Sequence, residues 1–437
     1  MKGRPVLPPG PYLVVGLARS GIAAAHMLAA HGRVVGVDSG TPGLESIDGV
    51  ELHVGSDGLE HLDGIATVVK SPGVPARAPA IAAAHERGLP VVGELELAWR
   101  LLPNRFVAVT GTNGKTTTVE LLGKILRTAG APVAVAGNVG TPLASLVGAV
   151  SLATTVVCEV SSFQLEDSLL FAPEVAVLLN IAPDHLDRHG TFEAYRDAKL
   201  RVFAHQSGDD WAVVPAGFEQ PARGRVRTFG GTGADVAAAR GAVRLGDAEI
   251  AVTEIGLRGE HNVGNALAAA TAALVLGIDG RDIAEALRTF AGVPNRLEEV
   301  ARQGGVLYVN DSKATNTAAA AVGIAAFPSG VHAILGGSLK GGDFTGLREP
   351  VRSRCRAGYL IGEAGERLAH DLEGTVPLRR CGDLGSAVAA ATEAAVPGDV
   401  VLLSPACASY DQYADYEERG RHFRELVRSL PRTDDSA

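Results

Sequence analysis

The chain has 437 residues, which at about 150 residues per domain suggests about three domains. Hydrophobic residues make up 46% of the chain and charged residues 20%, so a disordered protein is excluded. The formal net charge of −9 argues against the broad basic surface of a nucleic-acid-binding protein. Anionic small ligands would therefore need local cationic groups or backbone N–H donors.

Neither the cysteines nor the apolar runs point to a secreted or membrane protein. The 4 cysteines are scattered without a Cys-x-x-Cys pair, which argues against a disulfide framework and a structural zinc site. The apolar stretch after Lys2 and Arg4 is too short for a secretory signal, and residues 128–158 are interrupted by proline, asparagine and glycine. We therefore expect a cytoplasmic protein without membrane insertion; we also expect a monomer.

Short apolar runs, glycine turns and amphipathic stretches alternate in three blocks, which predicts an α/β fold with parallel sheets. The first block has predicted strands at 12–16, 34–38 and 67–70 and a helix at about 20–30. The second has predicted strands at 106–110, 133–136, 155–160 and 175–180, helices at about 115–129, 262–276 and 280–290, and a small β excursion within 208–256. A predicted hinge at 291–296 precedes the third block, with strands near 306–309, 332–335, 359–361 and 400–403.

The first turn, from Gly16 to Gly21, approximates a dinucleotide-binding fingerprint. Ala18 stands where the second glycine of that fingerprint belongs, and that glycine lets the backbone approach a pyrophosphate. The turn therefore argues only weakly for a dinucleotide.

The most specific local feature is TGTNGKTT at 110–117, between a predicted strand and a predicted helix. Its glycines allow the backbone to wrap a phosphate chain, and the first N–H groups of the helix point inward. Lys115 supplies a charge for the terminal phosphates, and Thr116 offers a hydroxyl to Mg²⁺. The usual P-loop has a glycine at position 109, where this chain has Val109, so the loop is a shortened variant. The alternative is a glycine-rich turn with an exposed lysine.

Polar residues follow several predicted strands at the edge where open α/β sheets bind ligands. Glu159 ends one strand and is placed to hold a divalent cation, and His185 lies in a dense polar cluster after the next. The asparagines of GNVG (137–140) and HNVGN (261–265) could be turn or cap residues, and Lys199 on a predicted helix could belong to a solvated face. In the third block, residues 310–316, 336–343 and 403–411 could each be a helix-capping loop.

Four segments together resemble the Mur ligases, and most closely the branch of that family that adds D-glutamate: TGTNGKT (110–116), SSFQLE (161–166), NDSKATN (310–316) and LLSPACASYDQY (402–413). The short phosphate loop is also similar to that of folylpolyglutamate synthetases. The resemblance covers residues 12–425. It implies a Rossmann-like domain for a UDP-linked substrate (1–93), a central P-loop-type ATP-binding domain (94–297) and a Rossmann-like amino-acid-binding domain (298–437).

The resemblance also implies an activity, in which ATP drives the addition of D-glutamate to UDP-N-acetylmuramoyl-L-alanine through an acyl phosphate. The implied cofactors are ATP and one or two Mg²⁺ ions, or Mn²⁺ in their place, and the implied partners are these small molecules. The implied metal ligands are Thr116, Glu159, His185 and a carbamylated Lys199. The implied catalytic residues are Lys115, His185 and Lys199.

The remaining site residues are also carried over from the resemblance. ATP would be bound by Gly111, Thr112, Asn113, Gly114, Lys115, Thr116, Thr117, Asn138, Asn262, Arg296, Asp311 and Lys313. The UDP-linked substrate would be bound by Gly16, Arg19, Ser20, Asp38, Ser39, Ser71, Gly73, Asn138 and His185. D-Glutamate would be bound by Thr315, Lys340, Ser409, Tyr410 and Tyr416.

The chain departs from this branch at two positions, and two other functions stay open. Ala18 replaces a glycine in the turn from Gly16 to Gly21, so the way this turn would bind the UDP-linked substrate is not defined. Asn295 stands where a histidine is common in this branch. A related ligase with another amino acid, such as L-glutamate, or with folate would share the chemistry. A P-loop NTPase switch would hydrolyse ATP without any amino acid.

Overall fold

The computed structural model describes residues 2–219, 223–257, 259–339 and 343–431. The chain divides into two compact units, residues 1–290 and residues 291–437. The first unit contains two parallel sheets and a small antiparallel one, and the second contains a single mixed sheet.

The first sheet of unit one has five parallel strands in the order β3-β2-β1-β4-β5. Its strands are β1 (Tyr12–Val15), β2 (Val34–Asp38), β3 (Val50–Val54), β4 (Thr67–Lys70) and β5 (Val91–Gly93), and its helices are α1 (Arg19–Ala29), α2 (Pro79–Glu86) and α3 (Glu94–Leu101). The central strands are valine-rich and buried on both faces, as a sheet between helices requires. Val15 pairs with Val37 and Lys70, so the carboxyl ends of β1, β2 and β4 meet at one edge.

The second sheet has six parallel strands in the order β11-β10-β9-β6-β8-β7. They are β6 (Phe106–Thr110), β7 (Val133–Gly137), β8 (Thr155–Glu159), β9 (Val175–Leu178), β10 (Trp211–Pro215) and β11 (Arg225–Phe229). The helices are α4 (Lys115–Thr128), α5 (Ser162–Glu166), α6 (Leu186–His189), α7 (Phe192–Ala204), α8 (Glu260–Val275) and α9 (Gly280–Thr289). A small antiparallel sheet joins β12 (Ala238–Ala239), β13 (Ala242–Leu245) and β14 (Ala248–Ala251).

The sheet of unit two has the order β15-β16-β20-β17-β18-β19 and is parallel except for its edge strand β15. Its strands are β15 (Glu298–Gln303), β16 (Val306–Asn310), β17 (Val331–Gly336), β18 (Cys355–Ile361), β19 (Leu378–Gly382) and β20 (Val400–Leu403). Its helices are α10 (Thr317–Ala325), α11 (Arg348–Arg354), α12 (Gly365–Asp371), α13 (Leu384–Ala394) and α14 (Tyr416–Ser429). Apolar clusters fill both faces of this sheet.

The predicted α/β class with mostly parallel sheets is confirmed. The predicted β excursion corresponds to β12–β14 and to β10 and β11, which join the second sheet. Strands β3, β5, β15 and β19 were missed; each lies at the edge of a sheet, and β15 and β19 contain no apolar run. The domain limits at 93 and 297 stay predictions. Among the described helices, none is long and apolar enough to cross a membrane.

Candidate active site

The phosphate loop lies between β6 and α4, and its shape depends on two glycines. Gly111 has a φ of 155°, and Gly114, at the N-terminal cap of α4, has a φ of 86°. A Cβ at Gly114 would collide with the side-chain oxygen of Asn265 on α8, so this close approach requires glycine. Helix α4 begins at Lys115 without a side chain that caps its first N–H groups. This is the arrangement that binds phosphate at the N-terminus of a helix.

Two lysines meet at one carbonyl of this loop. The Lys115 ammonium donates to the carbonyl oxygens of Gly111 at 2.9 Å and Thr112 at 3.0 Å. Lys199 on α7 is 2% exposed and donates to the same Gly111 oxygen at 2.8 Å. Burial, reinforced by the charge of Lys115, lowers the pKa of Lys199 to about 7. A substantial share of Lys199 is therefore a neutral, nucleophilic amine at neutral pH.

A buried carboxylate lies beside the start of α4. Glu159 ends β8 and is 2% exposed. Its two oxygens accept hydrogen bonds from the Thr116 hydroxyl at 2.7 Å and from the Asn138 amide at 3.0 Å. No lysine or arginine of the described residues forms an ion pair with Glu159. Thr116, Asn138 and Glu159, predicted separately from the sequence, are therefore brought together.

His185 lies at the N-terminal cap of α6, with a φ of 50°. Its ring centroid is 4.9 Å from that of Phe163 and 6.3 Å from that of Tyr195. The Tyr195 hydroxyl is 3.0 Å from the Thr112 hydroxyl, which connects this aromatic group to the phosphate loop. In the described part of the chain, no hydrogen bond or ion pair joins His185 to the other predicted metal ligands.

No group of three histidine, cysteine, aspartate or glutamate side chains that could hold a metal ion occurs among the described residues. The predicted set contains only two residues of these types, Glu159 and His185. The other two, Thr116 and Lys199, are a hydroxyl and an amine. This set would therefore acquire a second carboxylate only if Lys199 were carbamylated.

Three residues that support the phosphate loop were not among the predicted site residues. Asn180 accepts from the Asn113 N–H at 2.9 Å and donates back to the Asn113 carbonyl at 3.1 Å. Asn265 fills the space left by Gly114 and donates to Asn262 at 3.1 Å. Tyr195 is the third. The contacts of all three with the phosphate loop cross 67 or more residues of chain, which no local pattern reveals.

The first turn of the chain is built around the carboxylate of Asp38. Its two oxygens accept from the N–H groups of Leu17 at 2.7 Å and Gly40 at 2.8 Å. The Ser71 hydroxyl donates to the Gly16 carbonyl at 2.6 Å. Gly16, Asp38 and Ser71 therefore lie together at the carboxyl edge of the first sheet, as the substrate-binding prediction requires.

The other residues predicted for this turn lie around the start of α1 or on exposed loops. Arg19 and Ser20 begin α1, and the side chains of Arg19 and Ser39 and the backbone of Gly73 are exposed. Ala18 has φ −80° and ψ −175°, an extended conformation that any residue adopts. The backbone at this position therefore does not require the glycine of the dinucleotide fingerprint.

The structure explains why asparagine occupies position 295 in the predicted hinge. This residue has a φ of 63°, in the left-handed region that asparagine tolerates better than most residues. Its side-chain oxygen accepts from Asn310 at 2.9 Å and from Arg424 at 3.2 Å. A Cβ at Gly420 of α14 would collide with that oxygen. Asn295 is thus fitted to the interior of unit two, and Arg296 follows it directly.

Asp311 and Lys313 lie beside this hinge, after β16. The Asp311 carboxylate accepts from the Ser404 hydroxyl at 2.8 Å and from the Leu297 N–H at 3.3 Å, and burial raises its pKa to about 7. The Lys313 N–H donates to the Asn295 carbonyl at 3.0 Å. Arg296, Asp311 and Lys313 therefore share one part of unit two, and their contact with a nucleotide stays a prediction.

A cleft of about 400 Å³ opens at the carboxyl edge of the sheet in unit two. Four of the five residues predicted to bind the amino acid line it: Thr315, Ser409, Tyr410 and Tyr416. The fifth, Lys340, lies outside the described residues. Asn316, Thr317, Ser338, Phe344 and Ala406–Ala408 complete the lining. Three separate segments of the sequence thus converge on a space large enough for an amino acid.

Three family models match successive parts of this chain. The Mur ligase MurD-like N-terminal domain matches residues 11–93, the Mur ligase middle domain matches residues 109–273, and the Mur ligase glutamate ligase domain matches residues 295–407. Together with the relatives below, these matches show that the chain belongs to the Mur ligase family, and it is therefore a ligase.

Relatives that match nearly the whole chain carry one name. The UDP-N-acetylmuramoylalanine–D-glutamate ligase of Acidobacterium capsulatum is 44% identical, over 98% of this chain and 96% of that protein. The ligase of the same name from Koribacter versatilis is 41% identical, over 96% and 97%. These relatives agree with the D-glutamate branch suggested by the sequence.

Solved structures of other Mur ligases share the fold at low identity. The UDP-N-acetylmuramate-alanine ligase MurC of Thermotoga maritima is 20% identical with a TM-score of 0.60, over 96% of this chain and 99% of that chain. The MurF ligase of the same organism, solved in complex with ADP, is 19% identical with a TM-score of 0.58, over 92% and 97%.

Proposed function

We propose that this chain is an ATP-dependent ligase that joins D-glutamate to UDP-N-acetylmuramoyl-L-alanine, a step in the synthesis of peptidoglycan precursors. The structural observation that carries the proposal is the convergence of Lys115, Lys199 and the Thr116–Glu159 pair on one phosphate loop. The choice of substrates is supported by relatives at 40–44% identity, all named for this reaction.

The reaction begins with the transfer of the γ-phosphoryl group of ATP to the alanine carboxylate of the UDP-linked substrate. This gives an acyl phosphate and ADP. The amine of D-glutamate then attacks the acyl carbon, the amide bond forms, and phosphate leaves with the electrons of the broken C–O bond. Because a carboxylate repels ATP, charge neutralisation is the main task, and Lys115 and the first N–H groups of α4 perform part of it.

The oxygen atoms of Glu159 and Thr116 fit a divalent cation such as Mg²⁺ or Mn²⁺. Glu159 is a buried carboxylate beside the Thr116 hydroxyl, and hard cations prefer such oxygen ligands. A bound cation supplies Lewis-acid stabilisation of the transferring phosphoryl group. We propose one or two ions, held by Thr116, Glu159, His185 and a carbamylated Lys199.

Carbamylation of Lys199 fits the environment of its amine. The neutral amine adds to CO₂ to form a carbamate and releases one proton. Burial and the lowered pKa of Lys199 favour the neutral form that this reaction needs. The product is a carboxylate analogue that would bring a second anionic ligand to the phosphate loop.

The other site residues are assigned by the same proposal. Asn138, Asn262, Arg296, Asp311 and Lys313 would contact ATP together with residues 111–117. Gly16, Arg19, Ser20, Asp38, Ser39, Ser71 and Gly73, with Asn138 and His185, would bind the UDP-linked substrate. Thr315, Lys340, Ser409, Tyr410 and Tyr416 would bind D-glutamate. We further propose that the protein acts as a cytoplasmic monomer.

Release of phosphate from ATP and UDP-N-acetylmuramoyl-L-alanine tests this function directly. We expect release with D-glutamate and little with L-glutamate or with no amino acid. The Lys115→Ala variant should fold and release no phosphate, which controls for contaminating ATPases. Strong activity with L-glutamate would indicate the related ligase, and full activity without any amino acid would indicate an NTPase switch and would refute the proposal.

A further inference from the structure

Arg419 lies one turn into α14 and is buried to an unusual degree for an arginine. It is 1% exposed, and it forms no ion pair with a carboxylate among the described residues. Its guanidinium Nε donates to the Ser312 hydroxyl at 3.0 Å, and Nη2 donates to the carbonyls of Ser312 at 2.9 Å and Cys407 at 3.0 Å. Nη1 donates to the carbonyls of Ala408 at 3.3 Å and Gly336 at 3.5 Å.

These partners belong to the three loops that surround the amino-acid cleft. Ser312 lies in the loop after β16, Gly336 ends β17, and Cys407 and Ala408 follow β20. The same loops contribute to the cleft lining, at 315–317, 338 and 406–410. The guanidinium therefore holds the backbone on which the lining side chains are mounted.

Ser312 connects Arg419 to the end of helix α14 that lines the cleft. The Ser312 hydroxyl, which accepts from Arg419, donates to the carbonyl of Tyr416 at 2.8 Å. Tyr416 begins α14 and lines the cleft. A displaced Arg419 would therefore release both the strand-end loops and the helix end that lines the cleft.

The charge of Arg419 has a second consequence. Burial lowers its pKa to about 10, which still leaves the guanidinium cationic at neutral pH. The Asp411 carboxylate lies near enough to favour the charged guanidinium, but it forms no ion pair with Arg419 among the described residues. The charge therefore also acts on other nearby groups through a medium of low dielectric constant. An anionic ligand in the adjacent cleft would be attracted by it.

We propose that Arg419 is a positioning residue for the amino-acid cleft, which ties three strand-end loops together and favours a dicarboxylic amino acid through its buried positive charge. The inference rests on the proposed function, because it assumes that this cleft binds glutamate. Arg419 is assigned no contact with the substrate itself.

The test compares Arg419→Lys, which keeps the charge but loses the forked donors, with Arg419→Gln, which also loses the charge. Arg348→Lys is the matched control, because Arg348 also donates to backbone carbonyls of unit two, at Asp371 and Glu373, and does not line the cleft. The KM values for D-glutamate, ATP and UDP-N-acetylmuramoyl-L-alanine are measured separately, with thermal unfolding of each variant.

We expect Arg419→Lys to raise the KM for D-glutamate about tenfold, the effect of losing one hydrogen bond to a charged group, and Arg419→Gln to raise it further. The KM for ATP should change less than about twofold, and the control should match the wild type. An unchanged KM for D-glutamate in folded Arg419→Gln, or an equal rise in all three KM values, would contradict the inference. If Arg419→Gln does not fold, the KM values of Arg419→Lys test the inference by the same criteria.

The wild-type enzyme separates this inference from the proposed function. A wild type that does not use D-glutamate refutes the proposed function and the inference with it. A wild type that uses D-glutamate, together with an Arg419→Gln variant of unchanged KM, refutes the inference alone.

Discussion

At the scale of single residues, the chemistry-bearing positions of the phosphate loop could be predicted because their types and spacing are local. Lys115 and Thr116 follow two glycines between a strand and a helix, and Glu159 ends a neighbouring strand. Asn265 and Arg419 could not be predicted in the same way. Their roles depend on contacts with distant parts of the chain, and no local pattern in their helices singles them out.

Lys199 carries the sharpest prediction at this scale. Lys199→Ala should lose activity, because the carbamate that would bind the cation cannot form, and added formate or acetate should restore part of it. The control is Lys124→Ala on α4, which should retain wild-type activity. Phosphate release with and without the added carboxylate is the measurement. A fully active Lys199→Ala variant would remove the carbamate from the proposal.

At the scale of elements, buried polar side chains connect helices to the loops beside them. Glu94 begins α3, is 2% exposed and accepts from the Ala144 N–H at 2.6 Å in the segment after the loop that carries Asn138. Its other oxygen is buried without a hydrogen-bond partner among the described residues. Burial raises the pKa of Glu94 from its usual 4.5 to about 7, so this carboxyl group is largely protonated in the folded protein below that pH.

This shift predicts a pH dependence of stability. Because the folded state binds the proton of Glu94 more tightly than the unfolded chain, the free energy of unfolding falls as the pH rises from about 4.5 to about 7. Glu94→Gln does not titrate and can still accept from Ala144. Between pH 5 and pH 8 the wild type should therefore lose about 2 to 3 kcal/mol more stability than Glu94→Gln.

Urea unfolding followed by tryptophan fluorescence measures this difference, since both tryptophans, Trp99 and Trp211, lie in unit one. The matched control is Glu86→Gln, which replaces an exposed carboxylate on α2 and should follow the wild type at both pH values. Equal pH dependence in the wild type and Glu94→Gln would show that the Glu94 carboxyl group titrates normally in the folded protein.

The missed elements also have a physical explanation at this scale. The central strands β1, β6 and β20 are continuous apolar runs because both faces are covered by helices. Edge strand β15 reads EEVARQ and β19 reads LRRCG, so neither shows the apolar run that identifies a buried strand. Their assignment requires the neighbouring strand with which they pair.

At the scale of the whole molecule, the three blocks of alternating strands and helices could be anticipated from periodicity, apart from four edge strands, and the family from four short motifs. Most of the predicted site residues fall into three groups, the first turn, the phosphate loop and the cleft of unit two, whereas Arg296, Asp311 and Lys313 lie beside the hinge. The proposed reaction requires that one catalytic cycle uses all three groups. The central claim is therefore that phosphate reaches solution by way of the carboxylate of the UDP-linked substrate.

Isotope transfer measures this claim most directly. UDP-N-acetylmuramoyl-L-alanine with ¹⁸O in its carboxylate is converted with ATP and D-glutamate, and the released phosphate is analysed by mass spectrometry. The account predicts that each phosphate carries one ¹⁸O atom from the substrate, because the acyl phosphate breaks at its acyl C–O bond. Phosphate that contains oxygen from solvent water and none from the substrate would contradict it.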